Sequence, residues 1–90
     1  MKTYLFYIGQ NNRTKKLETA KIERVFNGHV DGYTLQKARG YWKSSAEKTA
    51  IVYVTGISKP LAVKIALELK HKLEQQSILL ETRPAQIEFI

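Results

Sequence analysis

The chain contains no cysteine. That absence removes disulfides, thiolate metal ligands and a thiol nucleophile together. A chain of 90 residues without covalent staples has to be one domain, 1–90, held by one hydrophobic core and helped by self-association where that core is small. A cysteine-free chain also suits a reducing compartment, so a cytoplasmic location is expected. Long apolar runs are missing as well: none approaches the ~20 residues that a membrane-spanning helix needs. The opening "MKTYLFYIG" has one lysine and an apolar run too short for a secretory signal, with no small-residue cleavage site behind it. It reads as a first strand.

Several kinds of chemistry are absent in the same way. Gly28, Gly32, Gly40 and Gly56 form neither a GxGxxG fingerprint nor a phosphate-binding P-loop. Ser44 and Ser45 have no adjacent base and no flanking nucleophile-elbow glycines. His29 and His71 stand far apart, with no second histidine or acidic pair at metal-ligand spacing, so no metal is expected.

What the chain has is charge and apolar pattern. Lys and Arg number 15 against 8 Asp and Glu, a net +7. A basic surface favours polyanions, nucleotides or acidic partners, although here the cations are spread along the chain rather than in one block. Tyr4 to Ile8 is a continuous run of strand formers stopped by Gly9. From about Lys16 to Asn27 the pattern is helical: Ile22, Val25, Phe26 and His29 fall on one face, and Asn27–Gly28 supplies a stop tolerant of left-handed backbone. Tyr33 to Trp42 alternates as a strand with one partly polar face, Lys43 to Thr49 reads as a loop, and Ala50 to Val54 is a second nearly all-apolar strand. Ser58 caps a helix from about Pro60 to Gln76, with Leu61, Ile65, Leu69 and Leu73 repeating every four residues. Ile78 to Thr82 is a strand interrupted by Pro84, and "QIEFI" alternates like a short further strand.

The order β-α-β-β-α-β predicts an α+β, ferredoxin-like βαββαβ sandwich: an antiparallel sheet with two helices on one face and strands one and three in its centre. Those two strands are apolar on both sides. Leu5 and Tyr7 oppose Tyr4, Phe6 and Ile8, and Ile51 and Tyr53 oppose Val52 and Val54. Helices cover one face only, so a subunit, a ligand or stacked bases should cover the other.

Within "RGYWKSSAEKTAIVYV", Glu47 is the only acidic residue between Asp31 and Glu68, placed just before a central strand. It can hold a cationic substrate group or act as a base, or it can be a solvated loop glutamate. Tyr41 and Trp42, adjacent on a strand, point to opposite faces. One can pack while the other stacks on a planar ligand or donates a hydrogen bond, or both can be packing residues. A third possibility uses Tyr4, Phe6 and Tyr53 as a base-stacking platform, as in RNA recognition motifs. The stretch "TAIVYVTG" lacks the basic-glycine-aromatic run of that family.

Residues 39 to 83, with "GYWKSSAEKTAIVYV", the helix "PLAVKIALELKHKLEQQ" and "SILLE", resemble the phage S-adenosylmethionine lyases. A glycine and a tyrosine there lead into a loop with an acidic residue just before "KT" and an apolar strand. Strand two and the last helix and strand are also similar to small bacterial proteins of the same fold with no known activity. The lyase resemblance implies a trimer that binds S-adenosylmethionine between subunits in the host cytoplasm. It implies cleavage to methylthioadenosine and homoserine lactone, against host restriction, with no separate cofactor. Carried over, the key glutamate falls on Glu47 and the tyrosine on Tyr41, or on Trp42 if the register shifts by one; Tyr41, Trp42 and Glu47 would contact substrate. The rival expectations are a non-catalytic oligomer that sequesters a nucleotide-like molecule, and an RNA-binding module.

Overall fold

A computed structural model covers residues 1–90. The chain forms β1 (Lys2–Gly9), α1 (Thr19–Asn27), β2 (Thr34–Trp42), β3 (Ser45–Thr55), α2 (Lys59–Lys72) and β4 (Leu79–Pro84). The four strands make one sheet in the order β2-β3-β1-β4, with every neighbouring pair antiparallel. This is the α+β, ferredoxin-like arrangement, and its two central strands are the two most continuously apolar ones.

The core lies between the sheet and the helices. Tyr4, Phe6 and Ile8 of β1 and Ala50, Val52 and Val54 of β3 meet Ile22, Val25 and Phe26 of α1 and Ala62, Ile65 and Leu69 of α2. Phe6 and Phe26 pack edge to face with centroids 5.0 Å apart, the arrangement their ring quadrupoles favour. Ser58 caps α2, its hydroxyl accepting from the Leu61 N–H at 3.3 Å, and Pro60 sits in the first turn. Gly56 leaves β3 at φ +87°, a conformation that costs a side-chain-bearing residue.

Several boundaries differ from the sequence reading. The segment from Lys43 to Thr49 is not a loop: only Lys43 and Ser44 turn, and β3 begins at Ser45. Both turn residues have positive φ, 49° and 65°, the geometry of a tight hairpin that matches strand twist. Glu47 therefore stands on a strand. Helix α1 starts at Thr19 rather than Lys16, because residues 11–16 close a loop of their own. In that loop Asn11 N–H donates to Lys16 C=O and Lys15 N–H to Asn11 C=O, each at 2.8 Å. Gly28 ends α1 in right-handed backbone, φ −80°, so the stop does not use left-handed freedom. Helix α2 ends at Lys72, short of Gln76. Pro84 does not interrupt a strand but closes β4 opposite Lys2, at the sheet edge where a missing N–H costs little. The alternating "QIEFI" has no strand to pair with and is irregular.

Strand β1 makes its last pairing with β3 at Gly9–Thr49. Beyond it β2 and β3 continue alone through Gly40–Glu47, Tyr41–Ala46 and Trp42–Ser45. The result is a two-stranded arm, and the molecule is elongated, 41 × 25 × 21 Å.

Candidate functional site

The sheet's open face carries Thr3, Leu5, Tyr7 and Gly9 of β1, with Thr49, Ile51, Tyr53 and Thr55 opposite them on β3. It is less apolar than the strands alone imply. Tyr7 hydroxyl donates to Glu81 at 2.7 Å, Tyr53 hydroxyl to Gln36 at 2.7 Å, and Arg83 pairs with Glu81. Cross-strand polar partners thus occupy hydroxyls that would otherwise face water unpaired. The Arg83 guanidinium and the Tyr7 hydroxyl hold the Glu81 carboxyl below its ordinary value, and the bond to Glu81 raises Tyr7.

Where the arm leaves the sheet, the open face forms a cleft of about 570 Å³, lined among others by Tyr7, Gly9, Gly40, Trp42, Glu47, Thr49 and Gln75. That volume is within the ~300–1,000 Å³ typical of small-ligand sites. Glu47 is the carboxylate of this cleft. It is half-buried and makes no ion pair or side-chain hydrogen bond within the chain. Two glycines make room for it. A Cβ on Gly9 would lie 3.5 Å from Glu47 Oε1, and one on Gly40 3.7 Å from Glu47 Cγ and 2.6 Å from Thr49 Oγ1. The Thr49 side chain is 9% exposed, and its hydroxyl is a buried polar atom with no partner. An unpaired buried hydroxyl costs free energy unless something satisfies it.

The three residues singled out in the sequence are placed as follows. Glu47 lies in the cleft. Trp42, 70% exposed, shares the open face with Glu47, because alternate positions of β2 pair on that side. Lys43 Nζ lies 5.9 Å from its ring centroid. Tyr41 is 66% exposed at the cleft rim, but strand alternation directs it to the opposite face of the arm, across from Ala46. Of the two tyrosines on Glu47's side, Tyr7 and Tyr53, it is Tyr7 that lines the cleft. Sequence reading missed Gly9, Gly40, Thr49, Tyr7 and Gln75. A glycine inside a strand pattern, as at Gly40, is a recognisable sign of close approach. Gly9, Thr49 and Tyr7 join it only through strand register, and Gln75 comes from the connection between α2 and β4. Tyr4 and Phe6, the supposed base-stacking pair, are 2% and 0% exposed beneath the helices, which leaves Tyr53 alone on the open face and removes the RNA platform.

There is no cluster of histidine and acidic side chains suited to a metal ion, and no helix is long and apolar enough to cross a membrane.

No protein-family model matches the chain, and no curated protein sequence matches it. Solved structures do. A DUF3240 family protein from Shewanella baltica OS155 is similar with a TM-score of 0.68 and 11% identity, over 99% of this chain and 94% of that one. A phage SAM lyase in its apo state is similar with a TM-score of 0.65 and 15% identity, over 91% of this chain and 78% of that one. The periplasmic divalent cation tolerance protein CutA from Archaeoglobus fulgidus is similar with a TM-score of 0.57 and 12% identity, over 99% and 88%. At these identities the likeness shows a shared ferredoxin-like fold, one that hosts different functions.

Proposed function

We propose that this chain is an S-adenosylmethionine lyase, assembled from copies of itself, that serves a phage against host restriction in the host cytoplasm. The observation that carries the reading is the free carboxylate of Glu47, half-buried over Gly9 in a ligand-sized cleft. A partly desolvated carboxylate without a partner is a ready site for a cation, and the substrate offers two, a sulfonium and an ammonium. The fold shared with a phage SAM lyase and the sequence resemblance around Glu47 support the same choice.

The chemistry asks little of the protein. The substrate's own carboxylate oxygen attacks its γ-carbon, the carbon–sulfur bond breaks, and its electron pair returns to sulfur. A neutral thioether, methylthioadenosine, departs from homoserine lactone. No external nucleophile or proton transfer is needed. Holding the amino-acid chain folded for attack is the main catalytic act. Opposite charges merge as the bond forms, so a dry pocket favours the reaction. Glu47 receives the ammonium group and Trp42 stacks on the adenine. The orphan Thr49 hydroxyl and the Gln75 amide supply hydrogen bonds. Tyr41 faces away within its own chain, so it enters a site only on the arm of a neighbouring copy.

The exposed arm supports an assembly. A two-stranded hairpin is marginally stable in water by itself, and this one carries Tyr41 and Trp42 largely uncovered. A trimer is the proposed state.

Mixing the purified protein with S-adenosylmethionine and separating the products tests the reading. Methylthioadenosine with homoserine lactone is the expected result. Saturable binding of substrate that is recovered intact after denaturation would replace the lyase with a sequestering protein.

A further inference from the structure

The opposite face of the arm carries a second cleft. It measures about 730 Å³ and is lined by Gln10, Lys15, Lys37, Arg39 and Lys48 together with Ala38, Ala46 and Glu47. A smaller cleft of about 450 Å³ adjoins it through Lys37, Ala38 and Lys48 and adds Lys16. Five cations thus gather between the 11–16 loop and the helix-facing side of β2 and β3. None of them is in an ion pair. Glu47 is the one carboxylate at this cleft, and strand alternation directs it to the other face.

The cluster is held together against its own repulsion. Arg39 and Lys48 are direct cross-strand partners, a pairing of like charges that destabilises a sheet. Lys37 follows Arg39 on the same face. The backbone bonds between Asn11 and Lys15 and Lys16 fold that loop back toward the cleft. Gln10 adds a neutral donor. It is 9% exposed, and its amide oxygen accepts from the Lys48 N–H at 2.8 Å. That bond fixes the orientation of the amide and leaves its NH2 group without an acceptor in the chain. Several cations and the Gln10 amide around one concavity call for an anion with several charges and many acceptor oxygens.

We propose that this cleft binds a linear oligophosphate, either free or as the phosphate chain of a nucleotide. The concave, small-ligand-sized space suits such a molecule better than a nucleic-acid strand, which needs an extended cationic track and stacking aromatics. Tyr4 and Phe6, which could have supplied the stacking, are buried in the core. The proposal does not rest on the lyase reading: its cations lie on the helix-facing side of the arm, and the two clefts share only Glu47.

Calorimetric titration of the full chain with inorganic tripolyphosphate, with ATP and with a single-stranded RNA oligomer tests it at physiological salt. Saturable binding of tripolyphosphate is expected. It should weaken about tenfold for each cation removed in Lys37→Gln and Arg39→Gln, and further in the charge-reversed Arg39→Glu. Exposed cations on α2 serve as controls, so Lys64→Glu and Lys70→Glu should retain affinity within the small loss expected from net charge. Glu47→Gln should retain or tighten it, which separates this site from the lyase cleft. Equal affinity for ATP would show that the phosphate chain alone is read, and tighter ATP binding would add a nucleoside to the ligand. The proposal is overturned if tripolyphosphate fails to saturate, if the α2 controls weaken binding as much as the cleft variants, or if only the RNA binds.

Discussion

Thr49 carries a hydroxyl that the folded chain leaves without a partner, beside the space where Gly40 lacks a Cβ. Valine matches threonine in shape and removes the polar atom. Thr49→Val should therefore leave the ligand-free protein as stable or more stable by about 1 kcal/mol, while weakening S-adenosylmethionine binding about tenfold. Denaturant melts and substrate titration check both halves, and a large loss of stability would assign the hydroxyl a structural bond instead. Glu68 makes the contrasting case of a fully employed carboxylate. It pairs with Lys72 at 2.8 Å and with His29 at 2.5 Å, tying the end of α1 to α2. Lys72 first, then His29, lowers its pKa from the ordinary 4.5. A carboxyl depressed in the folded state contributes stability above its unfolded pKa and loses it as pH falls through the folded one. The stability difference between the wild-type chain and Glu68→Gln should therefore persist at pH 5 to 6 and shrink below about pH 4. A difference unchanged down to pH 2 would contradict the pairing.

At the scale of elements, the turn at Lys43–Ser44 shows how a strand hides from sequence reading. Both residues hold positive φ, which Asn and Gly tolerate far better. The double substitution Lys43→Asn, Ser44→Gly should raise unfolding free energy by about 1 kcal/mol, measured by urea denaturation. A decrease would mean that Lys43, beside Trp42, contributes more than the backbone strain costs. Residues 45–48 belong to β3, yet both faces of the arm meet solvent, so no apolar alternation marks them as strand. Helix α2 was legible because its leucine and isoleucine spacing coincides with burial against the sheet. So were β1 and β3, whose central position makes them continuously apolar. The "QIEFI" tail shows the converse: alternation alone makes no strand where no neighbouring strand offers hydrogen bonds. At the site, Glu47 stood out through its isolation from other acids. The Gly9–Gly40 cradle did not, because Gly9 and Gly40 come together only through the register of three strands.

At the scale of the whole molecule, the arm and the open face make the strongest case for self-association. Trp42 and Leu79 are 70% and 64% exposed and both line the Glu47 cleft. Sedimentation equilibrium at micromolar concentration should give a trimer, and Trp42→Ala should shift the population toward smaller species. A wild-type monomer would remove the shared site and Tyr41's part in it. The arm separates charge locally, with the free carboxylate directed to one face and clustered cations on the other. That division is why a single segment supports two binding proposals.

The most direct test of the central claim is turnover of S-adenosylmethionine by the wild-type chain and by Glu47→Gln, matched for circular dichroism and sedimentation, with products separated by chromatography. The wild-type protein should yield methylthioadenosine and homoserine lactone in equal amounts, and Glu47→Gln should be slower by about 10²-fold or more. Intact substrate from the wild-type protein, or equal rates from the two, would contradict the assignment of Glu47 as the group that holds the cationic substrate for cleavage.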